Sequence, residues 1–357
     1  MQSSRPNGIC ASRNSVVSSL GTALSCTRRY RHRISVSPAG HISLVIAGWG
    51  DASAGPLIPY MQAHYKISYT VVSMLFVGQA AGFFVAALAN SWLTHRFGLG
   101  KVIVIGAALQ AFAYALLIPA FPFPAFPVIY AIGGFGMALQ DAQANVYIAG
   151  QPNAEVKLGY LHASYGLGAA VVPLAATAFA SSGILFARFY TFRIGGWIVT
   201  FLLDNRNGGA DAGYVATGFW FGLMVGRIIA NPLTIRIGEK RALYCYLTIA
   251  LALEFAIWFA DSLVGNAVVV ALIGVLIGPC YPVAISVLTK VIPRRLHATS
   301  IGFCASFGQI GAAVFPFAVG ALAQQFSPAA LQPVMIVLFA IQMALWFLVP
   351  APPQKKD

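Results

Sequence analysis

The sequence predicts an all-α polytopic membrane protein, and three observations carry that prediction. Of 357 residues, 59% are apolar and only 9% charged, whereas about a quarter of a soluble globule is charged. Apolar stretches near the ~20 residues that cross ~30 Å of hydrocarbon follow one another at short intervals. The basic residues fall in the gaps between them. A barrel is excluded, because its strands would alternate polar and apolar residues over ~10 positions.

Ten full segments are read, at 41–61, 70–93, 101–120, 127–149, 159–182, 213–234, 241–260, 266–288, 298–323 and 332–349, with an eleventh doubtful one between the fifth and sixth. Gly, Ala and Ser recur within them, which permits close packing where apolar lipid removes the hydrophobic drive for association. Pro173, Pro279, Pro282 and Pro316 lie inside segments and are expected to kink helices. Residues 1–40 form a basic, Ser-rich tail without an acid, carrying Arg5, Arg13, Arg28, Arg29, Arg31 and Arg33. No 7–15-residue apolar core marks it as a secretory signal; a disordered cytoplasmic tail and a transit peptide share this composition.

The net charge of +13 points to topology and not to nucleic acid, since membrane-length runs break the basic surface. Arg96 and Lys101; Lys157; Arg236, Lys240 and Arg241; Lys290, Arg294 and Arg295; and Lys355 and Lys356 fall on one side, against Lys66 and Arg206 on the other. Positive-inside bias puts the first set, with both termini, in the cytoplasm. The five cysteines form no CxxC pair and no His/Cys cluster, so neither a metal nor a disulfide framework is expected. No GxxxxGK[ST], HExxH or GxSxG occurs, so ATP-driven transport and intramembrane hydrolysis are unsupported, and no cofactor is implied.

An internal repeat runs through the chain. Residues 93–101, LTHRFGLGK, match residues 233–241, LTIRIGEKR, at an offset of 140; residues 163–173 match 305–316 with one insertion. Two separated matches at nearly one offset argue for duplication. The basic Arg-x-Gly loop after the second span of each half, with Arg96, Gly98 and Lys101 in one copy and Arg236, Gly238 and Arg241 in the other, resembles the conformational loop signature of the major facilitator superfamily. His95 and Ile235 stand where that signature has an acid. Residues 48–59 (GWGDASAGPLIP), 138–145 (ALQDAQAN), 162–169 (HASYGLGA) and 278–282 (GPCYP) resemble its fungal branch near the fucose-permease and hexose:proton symporter group. The resemblance covers about residues 41–350. It implies two pseudo-symmetric helix bundles around a central cavity, here with 10–11 spans instead of 12.

The expected organisation is a tail at 1–40, an N-terminal bundle at 41–182, a shortened junction at 183–212, a C-terminal bundle at 213–350 and a cytoplasmic tail at 351–357. About 30 residues at the junction are too few for two spans of ~20. Were they to cross once, the second half would be inverted and the loop at 236–241 would face outward against the charge bias. A broken or re-entrant element, or a shortened gene product, is expected instead.

Ionisable groups inside spans are candidates for function by default, because they are costly unless they face a cavity or a partner. Asp51 lies in the first span. The fourth holds Gln140, Asp141, Gln143 and Asn145; Asp141 and Asn145 share a face and the two glutamines share an adjacent one. All four are expected to line a cavity. His162 and Tyr165 open the fifth span, and Arg227, Glu254 and Gln309 lie in later ones. Arg227 either faces the cavity, pairs with an acid such as Glu254, or snorkels to the interface. Trp49, Tyr147, Phe307 and Trp346 could stack on sugar faces or simply pack. The resemblance carries proton coupling and sugar binding to Asp51 and Asp141. The function expected is secondary active transport of a small polar solute with protons, by a monomer in the plasma or vacuolar membrane. A non-transporting sensor or an inactive truncated product is the alternative.

Overall fold

The structure, a computed structural model, describes residues 38–54, 57–58, 60–181, 211–259, 263–325 and 331–350. Helix α1 comprises the described residues of 38–65. It is followed by α2 (Tyr69–Val72), α3 (Met74–Phe97), α4 (Leu99–Leu117), α5 (Ala125–Ala149) and α6 (Ala154–Ser181). The second bundle holds α7 (Asp211–Ile237), α8 (Glu239–Phe259), α9 (Leu263–Ile277), α10 (Cys280–Val291), α11 (His297–Gln325) and α12 (Leu331–Leu348). The tail at 1–37, the junction at 182–210 and residues 351–357 lie outside the described residues, so the expected shortening falls there too.

Six described spans are long and apolar enough to cross a membrane: α3 with the end of α2, α4, α7, α8, α9 with α10, and α11. The equally long α5 and α6 fall outside that set, since their apolar character is diluted by Gln140, Asp141, Gln143 and Asn145 on one and Lys157 and His162 on the other. The segment expected at 266–288 is divided at Gly278–Pro279, where the helix turns before resuming as α10. Pro173 stays inside an unbroken α6.

The repeat is built into the backbone. Gly98, between α3 and α4, has φ +81°, and Gly238, between α7 and α8, has φ +94°. Their N–H groups donate to Thr94 O and Thr234 O, each at 2.9 Å, capping the preceding helix. The same offset of 140 governs helix packing. Gly82 of α3 lies against Ala131 O of α5, and Gly222 of α7 against Ala271 O of α9; a Cβ on either would collide with that carbonyl. The two halves then exchange partners: α3 packs on α11 and α7 packs on α6.

α6 and α7 run antiparallel. Gly159, near the start of α6, meets Asn231 near the end of α7, and Gly166 meets Met224 further along. The end of α6 and the start of α7 therefore share one face of the bundle, and the second half is not inverted relative to the first. Arg96, Lys157, Arg236, Lys240 and Lys290 all belong to the opposite, basic end. Lys240 donates to Phe347 O and Val349 O there, at 3.1 and 2.6 Å.

Because nothing stands within 4 Å of a Cβ placed on Gly98 or Gly238, substitution there tests backbone strain alone. Gly98→Ala and Gly238→Ala should each lower stability by about 1–3 kcal/mol. Thermal unfolding of the detergent-solubilised protein measures it, with an unchanged midpoint ruling the strain out.

Candidate functional site

One cavity of about 230 Å³ lies between the bundles, lined by Asp51 (α1), Asp141 (α5), His162 and Tyr165 (α6), Trp220 and Arg227 (α7), Tyr281 (α10) and Gln309 (α11), with Ala47, Phe83, Met137, Ala305 and Gly308 between them. Six of the ten residues expected to bind substrate or protons are thus brought together from five helices. Ala47, Ala305 and Gly308 leave the space that a larger side chain would fill.

Asp51 receives neutral donors from three helices. Gln79 Nε2 donates to Oδ1 at 2.6 Å, the Tyr165 hydroxyl to Oδ2 at 2.8 Å, and Gln309 Nε2 to Oδ2 at 3.5 Å. Asp141 accepts from Asn145 Nδ2 at 3.0 Å and from the Tyr281 hydroxyl at 3.2 Å. Asn145 Oδ1 faces His162 Nε2 at 2.9 Å; with the amide nitrogen turned to Asp141, Nε2 is the protonated ring nitrogen. A continuous chain of hydrogen bonds therefore joins a histidine to a carboxylate through one amide.

Arg227 is buried and bonds two backbone carbonyls. Nε donates to Gly278 O at 3.1 Å and Nη1 to His162 O at 2.6 Å, while the guanidinium stands 5.4 Å from the Tyr165 ring centre. Gly278 O is available because Pro282, four residues on, has no N–H to return. Arg227 occupies that vacancy and does not pair with Glu254, which is buried on α8 among residues facing α9 and α12, away from the cavity. Of the three expectations for Arg227, the cavity-facing one describes the geometry.

Three of the four polar residues expected to line the cavity from α5 do not. Gln140 Nε2 reaches Gln110 Oε1 on α4 at 2.9 Å, and Gln110 in turn donates to the Tyr114 hydroxyl at 2.7 Å. Gln143 Nε2 reaches Asn90 Oδ1 and Thr94 Oγ1 on α3, at 2.6 and 2.7 Å. Asn145 orients Asp141 from behind. An amide in an apolar helix is satisfied as well by a neighbouring amide as by water, and the helix turns only Asp141 inward. Trp49, Tyr147, Phe307 and Trp346 are not cavity residues either: Trp49 and Tyr147 pack against core clusters, Phe307 is exposed, and Trp346 donates to Lys240 O. The aromatic wall is Tyr165 against Trp220, ring centres 6.2 Å apart, with Tyr281 4.8 Å from His162. Trp220 was missed because chain position alone does not separate a cavity aromatic from a packing one. Tyr281 lay within the recognised GPCYP stretch.

At the basic end the halves are bolted together. Lys290 of α10 meets Glu155 of α6 at 2.7 Å and Glu239 of α8 at 2.9 Å. Asn231 Nδ2 donates to Glu155 O and Val156 O, and Asn90 Nδ2 to Ala298 O. In each half, then, an amide on the helix that precedes the loop glycine, α3 or α7, donates to carbonyls in the first turn of a helix in the other. Arg96, Lys101, Arg236 and Arg241 are exposed, and none bonds across the halves among the described residues, where the loop motif contributes its glycines. Among the described residues, contact between the bundles continues from this end to Ser306, whose hydroxyl donates to Phe83 O, to Trp220 against Tyr165, and to Gln309, which donates to Asp51.

A sequence profile described as Major Facilitator Superfamily matches residues 41–204 and again residues 182–357. The chain is 23% identical over 407 aligned positions to "Bypass of stop codon protein 6" of Saccharomyces cerevisiae, covering 85% of this chain and 81% of that protein. Its fold superposes on FucP in the outward conformation with a TM-score of 0.65 at 14% identity, covering 88% of this chain and 98% of the other. A second FucP structure, described as the E. coli fucose:proton symporter, gives 0.62 at 13% identity, with 87% and 98% covered. The human organic anion transporter MFSD10 (TETRAN) gives 0.65 at 13%, with 88% and 99% covered.

Lys290→Gln removes both ion pairs of the basic end. Spin labels at Lys157 and Arg241, one in each half, should then show a distance distribution displaced to longer values in pulsed dipolar spectroscopy. A distribution identical to that of the parent protein would show that these pairs do not hold the end closed.

Proposed function

The chain belongs to the Major Facilitator Superfamily, and from that premise we propose that it moves a small polar solute across a membrane together with protons, by alternating access. The observation that carries this reading is the placement of Asp51, Asp141 and Arg227 in one cavity between two repeat-related bundles, beside an ion pair and amide bonds that join the bundles at the basic end. With the basic end in the cytoplasm, the ion pair and amide bonds described there would close the inner side. Rocking of the bundles about the cavity would release Lys290 from Glu155 and expose the solute inward.

The proton is assigned to the carboxylates. Both line the cavity, where Asp51 accepts from Gln79 and Tyr165 and Asp141 from Asn145 and Tyr281. Asp141 is the stronger candidate, because its bond from Tyr281 crosses between the bundles and so ties its protonation to their relative position. A protonated Asp141 could donate where the charged form can only accept, which would change that contact. The solute class proposed is sugar-like. Carboxylates and the Gln309 amide suit hydroxyl groups, and the Tyr165–Trp220 wall offers a flat apolar surface for a carbon-bound ring face. The fold shared with a fucose:proton symporter agrees with this reading.

Asp141→Asn keeps the shape and removes the titrating group. In proteoliposomes it should abolish solute accumulation driven by a pH gradient while leaving solute–solute exchange measurable. Undiminished, pH-dependent accumulation by this variant would remove Asp141 from the proton path.

A further inference from the structure

Resting on the transport reading of the same cavity, we infer that the solute carries a carboxylate, and that Arg227 is the group that receives it. The solute class is a small hydroxylated organic acid of the sugar-acid type, not a neutral sugar.

The argument starts from an arginine that nothing neutralises by contact. Arg227 is 7% exposed, it lies mid-helix in a membrane-spanning segment, and it keeps its charge under all conditions. A buried charge in a membrane protein is ordinarily matched by an opposite one. Here both bonded partners are uncharged carbonyls, Gly278 O and His162 O, and no carboxylate among the described residues is bonded to it. The two carbonyls fix the plane of the guanidinium and leave Nη2 bonded to no described residue, on a side chain that lines the cavity. A planar fork with free donors is the geometry that binds a carboxylate through two parallel hydrogen bonds.

The acids of the cavity do not take that role. Asp51 is occupied by Gln79, Tyr165 and Gln309, and Asp141 by Asn145 and Tyr281. Tyr165 stands between the opposite charges, donating to Asp51 through its hydroxyl while its ring faces Arg227. The cavity is therefore polarised, with a cationic end at Arg227 and a hydroxyl-accepting end at Asp51 and Gln309, separated by about the length of one tyrosine. A molecule with a carboxylate at one end and hydroxyls along a short chain or ring satisfies both ends; a neutral sugar leaves the guanidinium without a bonded anion. With one aspartate protonated, as the transport cycle requires, the two carboxylates and Arg227 sum to zero, so an arriving monoanion meets no net negative charge.

The test is uptake of radiolabelled D-glucuronate and D-glucose, at equal concentration and under one pH gradient, into proteoliposomes holding the full chain. Glucuronate should enter about tenfold faster than glucose. Arg227→Gln should collapse that ratio, and Arg227→Lys should retain part of it, since lysine keeps the charge without the fork. A purely structural Arg227 would change the amount of folded protein but not the ratio between the solutes. Should Arg227→Gln not fold, the parent protein and Arg227→Lys decide. Glucose uptake that equals or exceeds glucuronate uptake overturns the carboxylate assignment and leaves the transport reading standing; uptake of neither overturns both.

Discussion

Two apolar helices in hydrocarbon gain little by touching, since lipid tails serve each of them equally well. Association must come from contact close enough for dispersion and dipoles to act, and this constraint shapes everything else in the molecule. Gly82 against Ala131 O, and Gly222 against Ala271 O, bring α3 onto α5 and α7 onto α9 at backbone range. The same close approach recurs between the bundles, where Gly159 of α6 meets Asn231 and Gly166 meets Met224 of α7.

The same constraint sorts the polar side chains. Inside a bundle a polar group must find a partner on a neighbouring helix, and Gln110, Gln140, Tyr114, Gln143, Asn90 and Thr94 do so among themselves. Between the bundles the partners are spaced for a guest. Asp51 and Asp141 accept from side chains of several helices, and Arg227 donates to backbone carbonyls while lining the cavity. Position relative to the interface, more than residue type, separates the structural amides from the site.

Much of this was legible in the chain. Composition gave the membrane, and the paired loops gave the repeat, whose glycines at 98 and 238 proved to be the two described glycines with positive φ. Asp51, Asp141, His162, Tyr165, Arg227 and Gln309 stood out as polar residues in apolar runs and meet in one cavity. What could not be read was which way a polar residue looks. Gln140, Gln143 and Glu254 carry the same signal as Asp141, and only the packing of α4, α3 and α12 shows that they face elsewhere. Nor did the basic loops announce that the inter-half contact is made by Lys290 and Glu155, because an ion pair between residues so far apart in sequence leaves no local pattern.

Lys290 has two acids, one on each side of the interface it secures: Glu239 belongs to its own half and Glu155 to the other. When the halves part, the lysine keeps Glu239 and only Glu155 is released, at an end of the molecule where water is at hand. The lysine keeps a counterion throughout that motion, and the carboxylate it leaves is half-exposed and meets water. The closure is thus specific in position yet shallow in energy, which is what a machine needs if it is to be latched and unlatched once for every molecule it carries.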